Sequence, residues 1–82
     1  MSGYEKKQLE LEFKKFTAKN FERPAKCSNL GQIRFYIKEI SEKITELKNR
    51  FNYVPDSAYK LLHQYNAKQN TMVFSNFQQE YQ

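Results

Sequence analysis

The stretch LGQIRFYIKEISEKITELKNRF, residues 30–51, sets Leu30, Ile33, Ile37, Ile40, Ile44, Leu47 and Phe51 at alternating steps of three and four. That spacing draws one apolar stripe along a helix of about 33 Å and predicts that it packs lengthwise against other helices. Asn29 and Gln32 form a candidate capping pair at its start, the Asn oxygen accepting from an early backbone N–H and the Gln reaching back. Gly31 lies in the first turn, where it allows a close approach. With Leu30, Ile37, Ile44 and Phe51 as a positions and Ile33, Ile40 and Leu47 as d positions, the flanks hold Arg34, Ser41, Lys48, Tyr36, Lys43 and Arg50. Every charge there is basic, so two copies of this helix would set like charges across a seam. The stripe is better matched by other helices of the same chain, or by an acidic partner helix.

Two further helices supply that match. Over residues 4–19, Leu9, Phe13 and Phe16 recur at helical spacing, with Glu5, Glu10 and Glu12 early and Lys14, Lys15 and Lys19 late, the order that suits the helix dipole. Residues 20–29 lose the period, and Pro24 pushes Arg23 out of helical geometry, so this is an extended connector. After Asn52 and Tyr53, Pro55 suits a first helical turn and Asp56 a positive helix end. Ala58, Leu61, Leu62 and Tyr65 then give a third helix over residues 55–70 its apolar face. Residues 71–82 form an aromatic segment with Met72, Val73, Phe74, Phe77 and Tyr81, which continues the helix or makes a separate packing arm. The expected fold is all-α, a small three-helix bundle with a long central helix in a single domain over residues 1–82. At this size little surface is buried, and self-association into a homo-oligomer is one way to bury more.

Seven Phe and six Tyr exceed what so small a core absorbs. Phe13, Phe16, Phe35 and Phe51 are expected inside. Tyr36, Tyr53, Tyr59, Tyr65 and Tyr81 are divided between core, plain surface, protein contacts and stacking on unpaired bases.

Charge and chemistry narrow the function. Fourteen Lys and Arg against nine Asp and Glu give +5, which favours an acidic partner, while the interspersed acids rule out a histone-like surface. A lone cysteine, Cys27, excludes an internal disulfide and fits the cytoplasm. No long apolar run and no apolar stretch near Met1 point to membrane insertion or secretion. His63 is the only histidine, which removes a His-x-x-x-His metal site, and no Gly-rich phosphate loop is present. Cys27 with His63 would lack both an orienting group and an oxyanion element. Glu39, Glu42 and Glu46 read as a solvated face, with Glu39 and Glu46 each four residues before a cation, Lys43 and Arg50. The expectation is a protein that is not an enzyme and needs no cofactor.

The Lys, Asn, Phe and Tyr-rich composition and short length are similar to those of the small accessory proteins of T-even-like bacteriophages. Ile33 through Leu47, the break from Asn52 to Pro55, and then Tyr59, Leu61, Leu62 and Tyr65 resemble the helix, turn, helix order of small phage double-stranded-DNA-binding proteins. This resemblance covers about half of the chain and assigns no residue a role. It implies a phage-encoded factor in the host cytoplasm that binds a macromolecule of host or phage.

Two functions follow. In the first, Lys14, Lys15, Lys19, Arg23, Lys26, Arg34, Lys43, Lys48 and Arg50 supply a cationic face that binds DNA or RNA through phosphates. In the alternative, Met72, Phe74, Phe77 and Tyr81 anchor a protein partner that the chain inhibits or adapts.

Overall fold

Each helix starts where an oxygen takes over an orphan amide. The Glu5 N–H donates to Ser2 Oγ at 3.2 Å and opens α1, Gly3–Asn20. The Gln32 N–H donates to Asn29 Oδ1 at 3.0 Å and opens α2, Leu30–Phe51. The second half of the expected capping pair does not form, because Gln32 Nε2 donates instead to the Tyr36 hydroxyl at 3.0 Å. A Cβ at Gly31 would stand 3.0 Å from that capping Asn29 oxygen, which is the close approach the glycine allows. Pro55, itself buried, accepts from the Ala58 N–H at 3.0 Å where α3, Asp56–Glu80, begins. Asn52 ends α2 in the left-handed region (φ 52°), a conformation Asn tolerates better than most side chains.

The computed structural model describes the backbone of residues 2–80 and the side chains of residues 2–75. Among them are three α-helices and no strand, with one 3₁₀ turn, Pro24–Lys26, in the connector. The third helix does not stop near residue 70 but continues through residues 71–80, so α3 rather than α2 is the longest element. Nothing along Ala67–Glu80 interrupts it, as the segment has neither Gly nor Pro.

Pairwise contacts give the topology. Lys6 Nζ lies 5.3 Å from the Tyr53 ring centroid, Lys43 Nζ 5.6 Å from that of Phe16, and the Phe21 and Tyr36 centroids are 4.6 Å apart. So α1 runs antiparallel to α2. At the far end Leu30 and Met72 share the wall of a small cleft with Cys27, which makes α3 antiparallel to α2 as well. The molecule is elongated, 55 × 21 × 16 Å.

The stripe on α2 is rotated from a coiled-coil seam. Ile33, Ile40, Ile44 and Leu47 are buried as expected, yet Tyr36 is buried with them, while Leu30 and Ile37 are only partly covered. A helix with a neighbour on each side buries a broader arc than an a/d seam, and the ring of Phe21 draws that arc toward Tyr36. Two expected core positions are corrected: Phe35, about 200° round the helix from Ile33, is 54 % exposed on the far side of α2, and Phe51, although in line with Ile33, is the last residue of α2 and 38 % exposed. Phe13 is buried, and Phe16 is half-buried against Phe13, Phe21 and the Lys43 ammonium.

Tyr36 and Tyr65, not those two phenylalanines, complete the interior with Phe13, Leu9, Cys27 and Ala58. Tyr65 can be buried because its O–H donates to the Glu22 carbonyl, 43 residues away, pinning the connector to α3. The Cys27 thiol lies 3.5 Å from the Arg23 carbonyl and fastens the same loop.

Burial, with lesser contributions from Cys27, Tyr36 and Glu22, pushes the Tyr65 phenol up from 10 to about 12. A raised folded value means that stability is complete below pH 10 and is lost as the pH climbs toward about 12, since the unfolded phenol ionises first. Tyr65→Phe should lower stability by about 1–3 kcal/mol at neutral pH, because the Glu22 carbonyl loses its donor. The variant should also unfold with a shallower dependence on pH in the 10 to 12 window. Urea denaturation at several pH values reads both effects, and an unchanged alkaline slope would contradict the burial argument.

Candidate nucleic-acid interface

The chain leaves α1 at Phe21 in an extended conformation (φ −123°, ψ 143°), and Pro24 holds Arg23 extended too (φ −61°, ψ 146°). The connector therefore folds across α3 instead of prolonging α1. Between the last turn of α1, the connector and the middle of α3 it leaves an open groove of about 580 Å³. Thr17, Ala18, Phe21, Pro24, Ala25, Leu61, Tyr65 and Ala67 line it, with Arg23, His63 and Gln64 as its polar members. Three alanines on the walls, Ala18, Ala25 and Ala67, are too small to fill it.

Charge is segregated around this groove. Residues 13–38 and 61–80, which build that half of the molecule, contain eight Lys and Arg and two acids, Glu22 and Glu80. The remaining residues hold six Lys and Arg against seven acids. The excess positive charge of the chain thus belongs to the groove half. The signal for it in the sequence is the acid-free run over residues 57–79, which contains Lys68 and the groove residues His63 and Gln64 but lies off the apolar ladder.

The nine basic candidates do not share one face. Arg23 lines the groove, Lys19 and Lys26 adjoin its lining residues Ala18 and Ala25, and Lys14 stands one turn before Ala18 beside Leu11 and Ser57. Lys15 is exposed on the outer side of α1, away from the buried Phe13. On α2, Lys43 faces α1 through the Phe16 ring, and Arg50, seven residues on, follows the same flank. Glu46 engages both, at 3.7 Å from Lys43 Nζ and 3.3 Å from Arg50 Nη1, a surface network of small energetic weight. Helical periodicity turns Arg34 and Lys48 to the opposite flank of α2, so neither joins the groove rim.

Other chemistry is sparse here. Cys27 is buried, and desolvation, reinforced by Glu22, raises its thiol pKa, so it is held protonated as a packing residue. Among the described residues no group of three His, Cys, Asp or Glu side chains could hold a metal ion, and no helix is long and apolar enough to cross a membrane. Of the aromatic segment, Met72 is partly buried near Leu30 and Cys27, and Phe74 is 60 % exposed on α3. The Phe77 side chain and Tyr81 lie outside the described residues.

The chain is thus a small all-α protein with an open groove bordered by basic residues. No family model matches the chain, and no match was found among curated proteins or solved structures.

Proposed function

We propose that this chain is a non-enzymatic accessory factor that binds nucleic acid through phosphate contacts at the groove half of the molecule. The observation that carries the reading is the segregation of charge: eight cations against two acids, Glu22 and Glu80, on the half that also bears the open groove. Lys14, Lys19, Arg23 and Lys26 supply the contacts, with Arg23 suited to a bidentate grip on a phosphate. Lys43 and Arg50 contribute less, because Glu46 beside them repels phosphate. The resemblance to phage accessory proteins agrees with a role of this kind. Contacts to phosphate position the partner without selecting its sequence.

Counterion release gives the test. About four phosphate contacts should weaken binding roughly 50- to 150-fold between about 50 and 200 mM salt. Anisotropy titrations of labelled DNA and RNA across that range read it directly. Absence of affinity for every nucleic acid at low salt would end this reading.

A further inference from the structure

We infer that the groove takes unpaired bases of a single-stranded nucleic acid, with the phosphates running along its Lys19, Arg23 and Lys26 rim. The inference rests on the nucleic-acid reading and adds the substrate class. It begins with the mismatch between rim and floor. Phosphates need only the cations, and a duplex, whose bases are stacked inside, would meet the rim and leave the apolar floor uncovered. Bases of a single strand are free to turn inward, and sequence-tolerant single-strand sites combine a cationic track with an aromatic surface.

Phe21 is that surface. Its ring packs on Tyr36, with centroids 4.6 Å apart and planes tilted by 33°, while Phe16 at 5.3 Å and Tyr65 at 6.3 Å meet it roughly at right angles. The ring is only half-buried and lines the groove, so three aromatic neighbours hold it in place while part of it stays accessible there. Gln64 and His63 bring hydrogen-bonding groups able to meet base edges, and Arg23 can also stack on a base. The volume, about 580 Å³, is in the range of small-molecule sites and holds more than one base. An acidic helix from a partner protein fits less well. The α3 wall from Leu61 to Ala67 extends about 9 Å, short of the two turns over which docked helices place their anchors.

The experiment compares a labelled 12-nucleotide single-stranded DNA with the same sequence as a duplex, at equal low salt, for the natural chain and for Ala18→Leu/Ala67→Leu. Both alanines are exposed on helices, so leucines there fill the groove without entering the core, and circular dichroism checks that the helices persist. The natural chain should prefer the single strand by about 10-fold or more, and the filled variant should lose about that factor on the single strand while its duplex affinity stays the same. Equal affinity of the natural chain for both probes, with the steep salt response intact, overturns the inference and leaves the phosphate-binding reading standing. Unchanged single-strand affinity in the filled variant overturns it as well. A single-stranded RNA of the same sequence is the third probe: failure to bind any of the three overturns both readings and redirects the groove to an acidic protein partner.

Discussion

Ile40→Ala should cost about 2–5 kcal/mol, while Ile37→Ala, three residues away on the same apolar ladder, should cost clearly less. Ile40 is fully buried at the centre of α2, so truncation removes its transfer free energy and leaves a cavity walled by α1 and α3. Ile37 is only partly covered. A domain of this size has a total stability of about 5–10 kcal/mol, so the first variant approaches the threshold of unfolding. Phe35→Ala extends the comparison to the other side of the helix. More than half exposed, this ring should be lost at a cost below about 1 kcal/mol, despite being the larger side chain. Urea midpoints at constant slope give all three values. Equal costs for Ile37 and Ile40 would mean that α2 presents a coiled-coil seam and that the buried arc does not turn toward Tyr36.

That series also shows which parts of the fold the sequence made legible. The ladder located α2, and Asn29, Pro24 and Pro55 marked breaks and starts, because capping and proline geometry act within a few residues. The width of the buried arc was not legible. It depends on two helices flanking α2, and Tyr36 enters the core only because Phe21 and Tyr65 reach it from elsewhere in the chain. Tyr65 was assignable to an apolar helix face, but its burial relies on a hydrogen bond to Glu22 that no local pattern announces. The aromatic segment is a different case. The polar residues 67–71 blur the helical period and leave residues 71–82 open between a continued helix and a packing arm, and with neither Gly nor Pro to stop it the helix continues to Glu80.

For the candidate interface, local order was again the readable part. Lys14, Lys19, Arg23 and Lys26 follow one another along the end of α1 and the connector that border the groove, while Lys15 turns to the outer side of α1. Arg34, Lys43, Lys48 and Arg50 all flank one stripe in the sequence, but the two flanks of a helix face opposite directions. The groove itself arises from the turn at Phe21 and from alanines contributed by three segments, so no window of sequence contains it.

Location and net charge can be separated by a matched pair of charge reversals. The triple change Lys19→Glu, Arg23→Glu and Lys26→Glu takes the net charge from +5 to −1, and so does Arg34→Glu with Lys38→Glu and Lys48→Glu on α2. All six side chains are exposed, and Arg23 makes no capping hydrogen bond, so neither set removes a core contact. Lys19 and Lys48 each sit in a last helical turn, which makes the dipole penalty of about 0.3–1 kcal/mol common to both. If phosphates bind at the groove rim, the first triple should lower affinity at low salt by about 100-fold or more and reduce the magnitude of the log–log salt slope by about 2 to 3. The second should lose only the long-range attraction of the net charge, less than about 10-fold, and that difference should vanish as salt screens it. Equal losses in the two triples would mean that the chain binds by overall charge alone. The groove rim would then have no privileged role, and the segregation of charge along the molecule would have to be explained without it.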